Sequence, residues 1–333
     1  MNKDFKYYIS KYFKEYLPLT LGVSKNSIRS YKTTFLLLLE YLNDVKKINV
    51  NSIDFENINF EIIEDFLNYL EIEKKNSIRT RNQRLAAIHS FYKYIQKREL
   101  KYFELCSNIL SISNKKVPES TISYFSLNEI EILINTPNTK NKNGFRDYVM
   151  LLTMYETAAR GQELCDLTRK QVVFSDVSYI ILIGKGEKER SVPISKELEK
   201  VIKKYFDAFS ISENDFIFKS KFNHKFTTKG IEYTLKKYIN IAKAKYKDKF
   251  NGNYSNHTMR HTRAMHLLEA GVNLIYIRDI LGHTSVITTE IYAKTNPIIK
   301  AKQISEYGKQ LNVKSKYTDQ QKYDLIDFLK NEL

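Results

Sequence analysis

The feature that most constrains this chain is the helical spacing of its apolar residues. Within residues 1–110, apolar side chains recur every three or four positions. They do so in three stretches, 27–42, 62–70 and 85–95. Stripes of this kind bury one face of a helix against its neighbours. We therefore predict a domain of four or five helices over residues 1–112.

The rest of the chain also has a mainly helical pattern. Residues 113–122 are polar, contain a Pro and lack a sustained period, which predicts an interdomain linker. Apolar residues at 179–183 and 191–194 flank a turn rich in Gly and Lys, which predicts a β-hairpin. We therefore expect a second domain over residues 123–310, and a fold that is mainly α with a small antiparallel β-sheet. Residues 311–333 are predicted to form a C-terminal tail helix.

The charge balance favours a polyanionic partner. The chain carries 54 Lys and Arg against 38 Asp and Glu, a formal net charge of +16. A solvated, Lys-rich surface explains this excess equally well when the charge is taken alone. We therefore use the charge only together with the motifs below.

The cysteines and the N-terminus limit the compartment. Cys106 and Cys165 lie far apart and outside any CxxC pair, so neither a disulfide framework nor a Cys-based zinc site is expected. The first residues lack the apolar core of a signal peptide. The longest apolar run, 35–39, is too short to cross a bilayer. These features predict a cytoplasmic location without a membrane partner.

Basic residues gather at the start of the third helical stretch. Cations at this end oppose the helix dipole, so helix stability does not explain them. A phosphate ligand does explain them, because the free N–H groups at the same end also attract anions. A solvated basic face is the alternative. Mainly because of the motifs described below, we predict that five residues contact the DNA backbone: Lys74, Lys75, Arg79, Arg81 and Arg84.

Arg160 follows an apolar helix and precedes Glu163 by one turn. A guanidinium offers two parallel donors to a phosphate and stays charged at neutral pH. Glu163 is placed to orient a neighbouring cationic or His side chain. An ordinary i, i+3 surface ion pair, worth about a few tenths of a kcal/mol, explains the spacing if these two residues are considered alone.

His257 and Arg260 lie one turn apart near the start of a predicted helix, where they can bind one phosphate. His257 and His261 also have the i, i+4 spacing of zinc ligands. However, Thr258 stands where a zinc protease needs its general-base Glu, and no third ligand is evident. We therefore expect neither a metal nor another cofactor, and we expect His261 to pack or cap.

Three further residues suit phosphodiester chemistry. Lys185 lies in the predicted hairpin turn, from which an ammonium can protonate a departing 5′-oxygen. His283 follows a helix ended by Gly282 and can hydrogen-bond a phosphate. Tyr292 can attack phosphorus, provided that nearby Arg and His groups favour its phenolate. Each motif arises often by chance, but their occurrence in this order does not.

Together these residues resemble the catalytic set of the tyrosine recombinase family, which includes phage integrases and Xer-like enzymes. The matching positions are Arg160, Lys185, His257, Arg260, His283 and Tyr292, with Lys188 as the less favoured alternative to Lys185. The resemblance implies a helical, SAM-like core-binding domain and a catalytic domain that together clamp duplex DNA. It also implies a 3′-phosphotyrosyl intermediate that needs neither ATP nor a metal. The implied assembly is a homotetramer on paired sites, with accessory recombinase or directionality proteins as further partners.

Other interpretations stay open at this point. A type IB topoisomerase uses the same chemistry on one duplex, and a catalytically inert DNA-binding regulator would keep the fold. The spacing of Leu281-Gly282-His283 and the helical first domain favour a recombinase. Residues 322–333 are too short to form a stable helix alone. We expect them to dock on a neighbouring protomer, with packing in cis as the alternative.

Overall fold

The computed structural model describes residues 4–49, 53–118, 122–184, 186–220 and 222–295. Lys185 and the predicted tail 311–333 therefore lie outside the described residues, as do residues 296–310. The chain divides into two compact units, residues 1–120 and residues 121–333.

The first unit is helical, as predicted. Its α-helices are α1 (Phe5–Lys11), α2 (Lys25–Asp44), α3 (Phe60–Ile72), α4 (Ile78–Gln96) and α5 (Phe103–Leu110), with a π-helical segment at Tyr12–Thr20. Serine side chains start two of these helices. The hydroxyl of Ser24 accepts from the backbone N–H of Ser27, and that of Ser77 from Thr80, each at 3.2 Å.

Aromatic rings form the centre of the first unit. Phe91 of α4 is fully buried, and its ring centroid lies 5.2 Å from those of Tyr12 and Phe35. The ring of Phe5 meets it edge-on at 5.6 Å. Edge-to-face contacts of this kind add to the stabilisation from apolar burial. The helical stripes of the sequence therefore meet around Phe91.

The second unit joins eight helices to a small sheet in its described part. The helices are α6 (Leu127–Asn135), α7 (Lys142–Thr157), α8 (Gly161–Asp166), α9 (Lys196–Phe209), α10 (Thr228–Lys245), α11 (Asn256–Glu269), α12 (Leu274–Leu281) and α13 (Ile287–Thr295). The strands β1 (Val172–Val173), β2 (Tyr179–Ile183) and β3 (Glu189–Pro193) pair antiparallel in that order. The predicted hairpin is confirmed as β2 and β3. The two-residue β1 was not predicted because it is too short to show a period.

Two apolar clusters fill the second unit. The larger packs α6, α7, α9 and α10 around the sheet. The smaller joins Ala158, after α7, to α11, α12 and Tyr292 of α13. Ala158 ends α7 in the left-handed conformation, with φ of 50°, which turns the chain sharply before Arg160 caps α8. The smaller cluster thus brings four separate segments to one place.

No helix within the described ranges is both long enough and apolar enough to cross a membrane.

We predict that Phe91→Ala lowers the free energy of unfolding of the first unit by about 3–5 kcal/mol, because it leaves a cavity among several rings. Denaturant titration followed by hydrogen exchange at amides of residues 4–49 and 53–118 measures this loss. Leu36→Ala is the matched control, since Leu36 is 50% exposed and should change stability by less than about 0.5 kcal/mol. Equal effects of the two substitutions would contradict the ring-centred core.

Candidate active site

The C-terminus of α12 collects three arginine side chains. Arg190 of β3 donates from Nε to the carbonyl of Ile280 at 2.7 Å, and Arg260 of α11 donates to Leu281. Arg160 donates to Gly282 over a longer distance of 3.5 Å. The last carbonyls of a helix lack partners within it and attract cations. Three consecutive carbonyls therefore gather guanidinium groups from three parts of the sequence.

Glycine suits the end of this helix. Gly282 has φ of +60°, a conformation that disfavours any Cβ. A Cβ at this position would also lie 3.0 Å from Cδ of Arg190. The Gly that the sequence marked as a helix end therefore also lets Arg190 approach α12.

Glu163 links two of the arginines. Its carboxylate accepts two hydrogen bonds from Arg190, at 2.9 and 2.6 Å. It also accepts from the backbone N–H and from Nη1 of Arg160, each at 2.8 Å. Burial opposes ionisation of Glu163, but the bonds from Arg190 and Arg160 outweigh it and hold the pKa of this carboxyl below its usual value. An ionised Glu163 thus fixes both guanidinium groups.

Arg260 is the most buried of the three arginines, with 3% of its surface exposed. It donates to the carbonyl of Ala158 at 2.9 Å as well as to that of Leu281. Burial, together with the charges of Arg160 and Arg190, lowers the pKa of Arg260 to about 9. The group stays protonated at neutral pH, so a concentrated positive charge lies beneath the turn.

His283 directly follows this turn. Its Nδ1 is 3.0 Å from the hydroxyl of Thr289. Burial and the charges of Arg260, Arg160 and Arg190 lower the pKa of His283 to about 4. The ring is therefore neutral at pH 7 and carries one N–H donor.

Tyr292 lies in the smaller apolar cluster with 2% of its surface exposed. Its hydroxyl is 2.9 Å from Nδ1 of His261. Burial raises the pKa of Tyr292, while the charges of Arg260 and Arg160 act in the opposite direction. The phenol is therefore protonated in this structure, close to the groups that would stabilise its anion.

Part of this site faces an open cavity of about 840 Å³. The cavity is lined by residues of the hairpin turn and of the α12 end, among them Arg160, Lys188, Arg190 and His283. Gly184 and Gly186, the neighbours of the undescribed Lys185, also line it. His257 is exposed in the first turn of α11, and its ring centroid lies 6.4 Å from that of His261.

Comparison with known proteins matches both units. Residues 123–297 match the phage integrase family, and residues 11–99 match the phage integrase N-terminal SAM-like domain. This chain belongs to the phage integrase family.

Curated relatives of this integrase-family chain include two tyrosine recombinases. The tyrosine recombinase of Pseudothermotoga lettingae is 32% identical over 181 residues, which are 54% of this chain and 59% of that protein. Tyrosine recombinase XerD of Listeria innocua is 32% identical over 190 residues, 55% of this chain and 62% of that protein. The chain thus spans about three-fifths of the length of these relatives.

Solved structures show the same fold. One is the XerH site-specific recombinase bound to palindromic difH substrate, with 21% identity, a TM-score of 0.67, and coverage of 86% of this chain and 81% of that chain. Another is the Tn1549 transposon integrase in complex with transposon right end DNA, with 15% identity, a TM-score of 0.67, and coverage of 90% and 97%. At these identities the likeness concerns the fold alone.

Two residues of this candidate site were missed by the sequence analysis. Arg190 joins Glu163 and α12, although the sequence offered only its place in a basic hairpin. His261 was expected to pack or cap, but its ring bonds the hydroxyl of Tyr292. The only sequence signal for His261 was its i, i+4 spacing from His257, and this spacing is equally typical of a pair of zinc ligands. Among the described residues, no group of three His, Cys, Asp or Glu could hold a metal.

The five basic residues at the start of α4 do not share one environment. Lys74, Lys75 and Arg79 are exposed. Arg81 is 4% exposed and donates to the carbonyl of Ser113 at 3.2 Å, and Arg84 donates to the carbonyl of Ser30 at 3.1 Å. The prediction of one DNA-facing set is thus corrected for Arg81 and Arg84. Helical rotation turns these two toward the protein, where Nη1 of each donates to a backbone carbonyl.

We predict that Glu163→Gln lowers the free energy of unfolding of the second unit by about 3 kcal/mol near pH 7. This value is at the low end of the destabilisation expected when a buried ion pair is broken, because 36% of the Arg160 side chain is exposed to solvent. The folded-state pKa of Glu163 is depressed, so its stabilisation is present above the ordinary carboxyl pKa and is lost as pH falls through the folded value.

Denaturant titrations from pH 3 to pH 8 test this prediction. The difference between wild type and variant should narrow toward pH 3. Glu232→Gln is the control, since Glu232 forms an exposed i, i+4 pair with Lys236 and should change stability little at any pH. A pH-independent loss in Glu163→Gln would show that the carboxylate charge is not what matters.

Proposed function

We propose that this chain is a site-specific recombinase that cuts and rejoins duplex DNA through a 3′-phosphotyrosyl bond to Tyr292. The observation that carries the proposal is the meeting of Arg160, Arg190 and Arg260 at one turn close to a buried phenol. Glu163 is the carboxylate that holds two of them. The cluster keeps an excess of positive charge, which suits a bound phosphodiester.

The arginines would act on the non-bridging oxygens of the phosphate. Arg160 is partly exposed and lines the cavity, so its guanidinium is accessible to DNA. Arg260 lies beneath and adds charge that needs no reorganisation during the reaction. Preorganised donors of this kind are worth roughly 10²–10³ in rate each. His283 is neutral and can give one further hydrogen bond to the same phosphate.

The covalent step would exchange one ester for another. The Tyr292 oxygen bonds to phosphorus, and the bond from phosphorus to the 5′-oxygen breaks. The leaving oxygen takes a proton, for which Lys185, between β2 and β3 in the sequence, is the proposed donor. A 5′-hydroxyl of the partner duplex then attacks phosphorus and releases Tyr292. The phosphotyrosyl ester conserves the bond free energy, so the strand is resealed without ATP.

Several finer features belong to the same proposal. The names of relatives such as XerD and the DNA complexes of XerH and the Tn1549 integrase support duplex DNA as the partner. A homotetramer on paired sites, accessory recombinase or directionality proteins, a mobile-element role and a cytoplasmic location remain predictions. Docking of residues 322–333 on a neighbouring protomer also remains a prediction.

We predict that Tyr292→Phe binds duplex DNA like the wild type but forms no covalent adduct, because it lacks the attacking oxygen. A duplex nicked next to the scissile phosphate traps the adduct, which denaturing electrophoresis detects. Tyr276→Phe is the control, since Tyr276 is 65% exposed and should leave adduct formation unchanged. Adduct formation by Tyr292→Phe would transfer the role to another tyrosine.

We predict that replacing Lys74, Lys75 and Arg79 by Gln weakens binding to all DNA sequences. It should also flatten the dependence of log K on log salt by about 0.9 for each phosphate that the variant no longer neutralises. Arg81→Gln is the matched control from the same helix. Because Arg81 is buried on protein carbonyls, its replacement should lower the melting temperature and leave the slope unchanged. An unchanged slope in the triple variant would identify a merely solvated face.

A further inference from the structure

The phenolic hydroxyl of Tyr292 has an imidazole as its partner. Nδ1 of His261 lies 2.9 Å from the Tyr292 oxygen, and the two ring centroids are 5.7 Å apart. His261 belongs to α11, one residue after Arg260, so the helix that supplies the buried guanidinium also supplies this ring. The oxygen that would attack phosphorus therefore already lies within hydrogen-bond distance of a nitrogen of the protein.

His261 is able to accept that proton. Burial and the nearby charges of His257 and Arg260 lower the pKa of His261 to about 4. The ring is therefore neutral at pH 7, and one of its nitrogens has a free lone pair. When the ring proton is on Nε2, Nδ1 accepts the hydrogen bond from Tyr292, which is the geometry of a general base.

The other histidines of the site are placed differently. Nδ1 of His283 is engaged with the hydroxyl of Thr289. His257 is exposed at the start of α11, with its ring 6.4 Å from that of His261. His261 thus has the contact with the nucleophile, although the sequence pattern favoured His257 as the reactive imidazole.

Bound DNA would strengthen this base. Burial, and after it the charges of His257 and Arg260, lower the pKa of His261, and a phosphodiester bound at Arg260 would offset the part that is due to charge. An anion placed near Arg160 and Arg260 favours the protonated imidazole. The proton transfer is unfavourable in the free protein and becomes easier once a phosphate occupies the site. The nucleophile is thereby kept as a phenol until its substrate is present.

We propose that His261 is the general base that takes the proton from Tyr292 during DNA cleavage. This inference rests on the proposed function of the same site. As the Tyr292 oxygen bonds to phosphorus, its proton passes to Nδ1 of His261, and the 5′-oxygen leaves with a proton from a side-chain ammonium or from water. In the resealing step, protonated His261 returns the proton to the departing Tyr292 oxygen.

Fluorotyrosine incorporated at position 292 tests the proposal. Fluorination lowers the phenol pKa, so a tyrosine of this kind needs its base less. His261→Gln should lower the single-turnover rate of covalent adduct formation on a nicked duplex by about 10²-fold or more. Difluorotyrosine at position 292 should raise the rate of adduct formation by His261→Gln at least about tenfold. It should change the wild-type rate much less.

A second His–Tyr pair in this chain supplies the matched control. Nδ1 of His266 lies 3.0 Å from the hydroxyl of Tyr155, which is not the proposed nucleophile. Any loss of rate in His266→Gln should be unaffected by fluorotyrosine at position 292. His261→Asn provides a second substitution, and circular dichroism and DNA binding confirm that each variant is folded.

Three outcomes would overturn the proposal. One is a wild-type rate in folded His261→Gln, and another is an equal loss of rate with tyrosine and with fluorotyrosine. In both of these the wild-type adduct still forms, so the proposed function stands. Absence of an adduct from the wild-type chain on nicked duplexes of any sequence would instead remove the proposed function together with this inference.

Discussion

The unpaired carbonyl groups at the end of α12 organise the site. A helix must leave its last carbonyls without internal partners, and here the carbonyls of Ile280, Leu281 and Gly282 accept from three arginines. These donors come from β3, from α11 and from the turn between α7 and α8. One local requirement of helix geometry therefore joins distant segments and concentrates positive charge at one point.

The three arginines can lie close together because Glu163 neutralises part of their positive charge. Glu163 binds Arg160 and Arg190 through hydrogen bonds that outweigh its own burial. Arg260 is instead held by two carbonyls. Burial, together with the nearby positive charges, lowers the pKa of both His261 and His283 and keeps them neutral at pH 7. A bound phosphate anion would neutralise the remaining positive charge. The stability of the site is therefore connected with its proposed substrate.

Much of the fold was predictable from local patterns. Helical periodicity located α2, α3 and α4. Apolar residues on both sides of a turn rich in Gly and Lys located β2 and β3. These predictions succeeded because they depend on neighbours within a few positions. Strand β1 was missed because its two residues acquire their pairing only from β2.

The sequence by itself determined which reactive side chains the site can use: a phenol, several guanidiniums and imidazoles, and a carboxylate one turn from Arg160. It did not determine which of them would touch. That Arg190 binds Glu163, that His261 rather than His257 contacts Tyr292, and that Arg81 is buried follow from tertiary packing. The physical reason is distance along the chain. Hydrogen bonds between residues tens of positions apart leave no periodic signal, and only the packed helices bring their atoms together.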